Sequence, residues 1–521
     1  MKRILPVRWT VFGSAVITFT LQFAQAQDRV PIARQAGSPQ NYSSSDGSRG
    51  LLGPNLRPGP AVRPFPRHQR RPGIDSIRDW NEIALNATGL DHTPVASGEN
   101  RVYGEQLGPC RSSRAMAVVH VAMFDVVNAV VPRYHGYTPL APVRGWASMN
   151  AAVAVAAHDT LSALFPSQRP IFDAELAEDL RAIPNGFFKA NGIALGRREA
   201  AMLLVLRAND GSQLAEPRVG IEFITSDQPG KWRQDPISQL PLALGAYWGG
   251  VKPFVMHSGD QYRVPPPPAI DTAEYAMAFD EVKRLGGDGV ITPTERTEEQ
   301  TLIGIYWAYD GTPSLCAPPR MYNQIVVHIA DQMQTGDYEL ARLLALANLA
   351  MADAAITIWD SKFQYQYWRP ITGIREADPG TGPTGLGDNN PLTTGDPTWT
   401  PLGAPASNLQ GPNFTPPFPA CPSGHAGFGG AVFQVLRRFY GTDDIAFTFV
   451  SDELNGETRD NQGNVRPLFP RSFTSLSQAE EENGQSRIYL GIHWSFDKDE
   501  GIQQGRKVGN YVFNNVLRPL Q

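Results

Sequence analysis

The chain is 521 residues long, 41% hydrophobic and 19% charged, with a formal net charge of −5 and three cysteines. That length exceeds one small core and suits two domains or one large fused one. Mild acidity excludes a general nucleic-acid binder, and three cysteines do not make a disulfide scaffold.

Lys2, Arg3 and Arg8 precede a short apolar run from Trp9 to Ala24, and Ala24-Gln25-Ala26 forms a small-x-small cleavage site. This is the pattern of a secretory signal peptide over residues 1–26, cut after Ala26, and it implies a secreted or periplasmic protein. A membrane anchor is the rival reading, but the run is shorter than the roughly 20 apolar residues a span requires. Cleavage removes three basic residues and leaves a net charge of about −8. No later segment reads as an apolar stretch long enough to cross a bilayer.

Residues 27–75, which include "RPGPAVRPFPRHQRRPG", have no hydrophobic period. They read as a Pro/Gly/Arg-rich extended arm, either a linker or a wrap over a neighbouring surface. Helical patterns then dominate. Helices are expected at 113–131, 151–165, 196–208 and 272–286 in an N-terminal half, residues 76–290. A C-terminal half, 291–521, is expected to hold helices at 294–311, 318–333, 338–368, 424–440, 477–491 and 498–516. No alternation of period two extends over several strands, so the expected class is all-α: two four-helix-bundle-like halves with long Pro/Gly-rich loops. Residues 376–421 are the longest such loop, and their position between two motifs favours a loop over a site.

Three stretches carry chemistry. In "KFQYQYWRP", residues 362–370, Lys362 and Arg369 stand seven apart, close to two helical turns, so both are expected on one helical face. Pro370 is expected to end that helix. A solvated basic edge is the plain alternative, although Phe363, Tyr365, Tyr367 and Trp368 argue against exposure. In "PSGHAGFGG", from Pro422, Ser423 and Gly424 open a helix whose free N–H groups and dipole suit an anion, with His425 in the first turn. Here the alternative is a simple cap with a surface histidine. In "SRIYLGIHWSFD", from Ser486, Arg487 offers a fork of donors, and His493 precedes Asp497 by four residues. Asp497 could fix the His493 tautomer, or cap the last helix with Glu500 completing a capping box. Three cations meeting at one place would repel unless a multiply negative ion lies between them. A phosphate-like ion fits.

These three stretches together resemble the signature of the superfamily of vanadium-dependent haloperoxidases and type-2 phosphatidic acid phosphatases: K-x6-R-P, then P-S-G-H, then S-R-x5-H-x3-D. The stretches "YWAYDGTPSLCAPPRMYNQI" (306–325) and "SGDQYRVPPPP" (258–268) are similar to the fungal chloroperoxidase type, so the resemblance runs from about residue 250 to the C-terminus. It implies that His493 is the axial ligand to vanadium, or the nucleophile of a phosphatase. It further implies that Lys362, Arg369, Ser423, Gly424 and Arg487 bond the oxygens of vanadate, with phosphate as a competing ligand. By the same resemblance His425 is the acid–base, Asp497 orients His493, and Asp310 pairs with a site arginine. Trp359 and Phe418 match aromatic positions on the halide side of the chloroperoxidases; bromoperoxidases often carry histidine in place of Phe418.

The expected activity is oxidation of chloride or bromide by hydrogen peroxide to hypohalous acid, which leaves or halogenates an organic acceptor. A secreted acid phosphatase using His493 as nucleophile is the alternative, and a non-catalytic anion-binding helical protein is a third. Cys421 departs from the tyrosine expected before the P-S-G-H motif in the fungal enzymes. A thiol beside a source of hypohalite should oxidise if exposed.

Overall fold

The computed structural model describes residues 51–58 and 75–520. The expected signal peptide, and the arm except for residues 51–58 and 75, lie outside the described residues.

Thirteen α-helices dominate the described residues. They are α1 (Ser76–Asp91), α2 (Gly108–Val130), α3 (Met149–Leu164), α4 (Arg169–Ala182), α5 (Phe187–Arg207), α6 (Ala273–Leu285) and α7 (Glu298–Tyr306). Then follow α8 (Pro319–Gln332), α9 (Asp337–Tyr365), α10 (Pro370–Arg375), α11 (Gly424–Tyr440), α12 (Leu476–Tyr489) and α13 (Ser495–Asn515). The all-α expectation holds. Expected helices are recovered with shifted ends; α1, α4 and α10 are additional, and α5 starts nine residues before the expected position. The helix expected over 294–311 is cut to Glu298–Tyr306, because Thr297 and Gln300 form a capping box at its start. At its end the backbone leaves the helix at Trp307, and Tyr309 takes a positive φ of 45°.

The strands are few. β1 (Arg57–Pro58) pairs antiparallel with β2 (Leu409–Gln410), and β3 (Phe447–Asn455) forms a hairpin with β4 (Leu468–Phe473). The hairpin's start does alternate, with Phe447, Phe449 and Ser451 buried and Thr448 and Val450 exposed. One such pair among helices is too short a pattern to stand out in sequence.

The 29-residue α9 is the axis of the fold. It packs on α2, α8, α11 and α13, and every residue from Leu340 to Trp359 is buried. Both α2 and α9 are long and apolar enough to span a bilayer, which corrects the expectation that no later segment is; each is covered by other helices. Helices α11 and α13 touch most closely through glycines. A Cβ on Gly505 would stand 2.1 Å from the Gly427 carbonyl, and one on Gly430 would stand 2.6 Å from that of Ile502. This contact holds the start of α11 beside the start of α13, and the two ends carry the second and third motifs.

Candidate active site

The first motif reaches the site by a different route from the one its spacing suggests. Helix α9 stops at Tyr365, where Gln366 turns left-handed (φ 51°, ψ 43°) and its N–H bonds the Lys362 carbonyl. Arg369 is extended, and Pro370 begins α10 instead of only ending α9. Lys362 and Arg369 therefore do not share a helical face; a tight C-cap at Gln366 and the extended Arg369 bring the two together outside a helix. Neither is a solvated edge, for Lys362 is 0% and Arg369 1% exposed.

Loop 376–421 supplies three of the five carbonyl partners. Lys362 Nζ donates to the carbonyls of Pro419 (2.8 Å), Ala420 (2.9 Å) and Pro422 (2.5 Å). Arg369 Nε donates to the Phe418 carbonyl (2.9 Å), and Nη1 donates to the Ile492 carbonyl (2.8 Å). Arg369 Nη2 is buried with no hydrogen-bond partner among the described residues. Burial, followed by Arg369, pulls the Lys362 pKa well below its usual value, and burial brings Arg369 down to about 9.

Arg487 closes the far side, also 1% exposed. Its Nη2 donates to both oxygens of Asp310, at 2.8 and 2.9 Å, which is the pairing the family resemblance implies. Its Nε and Nη1 are buried and unpaired. Burial raises the Asp310 pKa, against the lowering effect of Arg487.

The two histidines differ in role through their tautomers. His493 Nε2 lies 3.0 Å from Arg369 Nη1, and an arginine only donates, so Nε2 carries the lone pair. Nδ1 then donates to Asp497 Oδ2 at 2.9 Å. The same oxygen accepts from the Trp494 N–H at 3.1 Å. Both readings of Asp497 thus hold in part: it orients His493 and it caps, but from inside the first turn of α13, which starts at Ser495 rather than Lys498. Burial raises the Asp497 pKa to about 7, while burial and the cations Arg369 and Lys362 push His493 well down.

His425 is 6% exposed and not the surface residue of the alternative reading. Its Nε2 lies 2.5 Å from the Ala308 carbonyl, which can only accept, so Nε2 carries the proton and Nδ1 is the free base. Burial and Arg487 hold its pKa well below the ordinary histidine value. Ser423 caps α11 by accepting from the Ala426 N–H at 3.4 Å, which leaves its hydroxyl proton free to donate elsewhere.

Trp359 and Phe418 meet at a tilt of 59°, 4.9 Å between ring centroids, and Lys362 Nζ lies 5.7 and 5.1 Å from them. Trp359 donates to the Leu244 carbonyl (2.9 Å), and the next residue must be glycine: Gly245 has φ +80° and an added Cβ would meet the indole at 2.3 Å. One cavity is lined by Asp310, Trp359, Phe418, Gly424, His425, Arg487 and His493; Lys362, Arg369 and Ser423 are not among its lining residues. Cys421 is fully buried among Trp368, Trp494 and Ile371 and does not line the cavity, so the expected hazard to its thiol does not arise from exposure.

This donor set suits an oxyanion. Among the described residues no three His, Cys, Asp or Glu side chains converge as a cation site. Three buried cations face two carboxylates, and three guanidinium nitrogens lack partners, each costing about 1–3 kcal/mol if nothing binds it. Vanadate or phosphate would satisfy them. The carbonyls that hold Lys362, Arg369 and His425 were not legible in the sequence because a backbone oxygen carries no residue-type signal; the length of loop 376–421 pointed only toward those of Phe418, Pro419 and Ala420.

Comparison with known proteins follows the same line. The family described as the VCPO second helical-bundle domain matches residues 342–521. The vanadium chloroperoxidase of Curvularia inaequalis is 32% identical over an aligned length of 496 residues, covering 80% of this chain and 78% of the relative. Among solved structures, a bacterial vanadium-dependent iodoperoxidase superposes with a TM-score of 0.67 at 22% identity, covering 87% of this chain and all of its own. A holo-type bacterial vanadium-dependent chloroperoxidase gives 0.56 at 17% identity, covering 78% and 92%. These two likenesses concern the fold alone.

Proposed function

The chain belongs to the vanadium-dependent haloperoxidase family, and from that membership we propose that it oxidises chloride or bromide with hydrogen peroxide to hypohalous acid, using vanadate held at His493. The observation that carries this reading is the set of buried, unpaired donors of Arg369 and Arg487 around a histidine whose Nε2 offers a lone pair. Vanadate, when bound, supplies Lewis-acid activation of hydrogen peroxide without changing oxidation state.

The chain's own groups do the rest. Arg369, Arg487, Ser423 and the Gly424 N–H would hold the oxygens, Lys362 would join them by giving up one of its three carbonyl partners, and His493 Nε2 would ligate the metal in exchange for its contact with Arg369. Asp497 keeps the His493 proton on Nδ1, so the lone pair stays on the ligating side. His425 Nδ1, neutral because burial and Arg487 disfavour the imidazolium, takes a proton from hydrogen peroxide. Lys362, directed by three carbonyls, draws negative charge from the reacting oxygen. Trp359 and Phe418 give the halide a dry flank. We further propose that the protein is exported through the signal at residues 1–26.

The phosphatase alternative uses the same His493 lone pair, so one paired assay separates the two. Halogenation of monochlorodimedone, with peroxide and halide, is expected to depend on added vanadate. p-Nitrophenyl phosphate hydrolysis by the vanadate-free protein, without any halogenation after vanadate is added, would replace the haloperoxidase reading with the phosphatase.

A further inference from the structure

The cavity onto which His425 and His493 open is much larger and more apolar than halide and peroxide require. About 90 Å³ of it is open to the centre of a water-sized sphere, where a single water needs about 10–15 Å³. Eight leucines line it, against six polar or charged side chains: Asp310, His425, Arg487 and His493 of the anion-binding set, with His92 and Tyr103. Halide, peroxide and hypohalous acid are small and well hydrated, and gain nothing from hydrocarbon walls. A hydrocarbon-bearing molecule does.

Three of those leucines, Leu51, Leu52 and Leu56, come from the arm. They are held in place. β1 pairs Arg57 with Gln410 and Pro58 with Leu409, and Asn55 Nδ2 donates to the Ile237 carbonyl at 2.7 Å. Gly411 has no Cβ to strike the Asn55 carbonyl, which would lie 2.4 Å away. Leu56 is 1% exposed. The arm segment is therefore a built wall of the cavity.

We propose that this chamber binds an apolar organic acceptor, an electron-rich carbon framework carrying a hydrocarbon chain, and that Leu51, Leu52 and Leu56 set the length it accepts. The inference rests on the haloperoxidase reading for its chemistry. Hydrogen peroxide removes two electrons from halide, giving hypohalous acid and, with a proton, water. The acceptor's π electron pair then bonds the halogen as the halogen–oxygen bond breaks. The departing hydroxide leaves as water with the proton lost from that carbon framework.

The test begins with binding and needs no catalysis. 4-Alkylphenols of rising chain length are titrated calorimetrically into the vanadate-free protein. Each methylene that enters the chamber should tighten binding about fourfold. Leu52→Trp, and Leu51→Trp at the half-buried neighbouring position, should weaken the long-chain phenol tenfold or more. Inorganic phosphate should bind both variants as it binds the native protein, which certifies the fold. Affinity that ignores chain length, or phosphate-competent variants that bind the long phenol unchanged, would overturn the chamber while vanadate-dependent halogenation could still stand. Graded binding in a protein that halogenates nothing would keep the chamber as a binding site and remove the haloperoxidase reading instead.

Discussion

Two buried clusters of charge in this molecule handle repulsion in opposite ways. In the C-terminal half Lys362, Arg369 and Arg487 converge with only Asp310 and Asp497 beside them, and three guanidinium nitrogens are left without partners. In the N-terminal half Asp125 and Glu199 are buried together. Asp125 accepts the N–H groups of Tyr137 (2.8 Å) and Thr138 (2.7 Å), and Glu199 accepts the Thr138 hydroxyl at 2.6 Å. Burial and the Asp125 charge raise the Glu199 pKa to about 8, so this pair avoids repulsion by keeping a proton. Arginine has no such exit, since it stays protonated. The comparison separates a cluster that relieves its own charge by holding a proton, although Glu199 Oε1 is itself without a partner among the described residues, from one that asks for an outside anion.

The largest effect is expected at His493. His493→Ala removes the lone-pair nitrogen facing Arg369 and should abolish vanadate-dependent halogenation, with the circular dichroism spectrum unchanged. Halogenation at native rate by this variant would erase the distinction drawn above. Next comes Arg487→Ala. It strands the buried Asp310 carboxylate and should cost about 3–5 kcal/mol in chemical denaturation. In the native protein, phosphate or vanadate at about a hundred times its dissociation constant should add about 2.7 kcal/mol of stability. That gain should shrink in the variant, whereas a cluster complete in itself would show no gain in either protein. Asp497→Asn comes third: with Nδ1 no longer facing a carboxylate, vanadate affinity or activity should fall about 10–100-fold.

The same contrast marks how far the sequence could be read. Lys362, Arg369, Ser423, His425, Arg487, His493 and Asp497 are each ambiguous alone and are picked out by the joint occurrence of three motifs in order. Their assembly was less legible. The helix gives way at Gln366 to an αL cap that no glycine signals, so Lys362 and Arg369 meet by a path other than the one their spacing suggests. Asp310 came only through the family resemblance; nothing in "YWAYDGT" singles it out as the partner of a residue 177 positions away. The chamber was silent, since a leucine that lines a cavity and one that fills a core are the same letter. The Asp125–Glu199 pair was silent too, each acid sitting alone in a helical pattern.

That pair supplies the smallest effect and the sharpest control. Glu199 is protonated in the folded protein up to about pH 8, and in the unfolded chain only up to the ordinary glutamate value. Between those limits unfolding releases a proton, so the unfolded state binds fewer protons and stability falls as pH rises. One such proton tilts stability by about 1.4 kcal/mol per pH unit. Glu199→Gln keeps an acceptor for Thr138 Oγ and has no proton to lose, so urea denaturation from pH 5 to 8 should give a flatter slope than the native protein. Asp125, raised to about 6 mainly by burial, would still contribute at the acidic end. Phosphate should stabilise Glu199→Gln as much as the native chain, because this cluster relieves its charge without an anion. An unchanged pH slope in Glu199→Gln would mean that the two carboxylates do not share a proton. The contrast with the arginine pocket would then have lost its structural side.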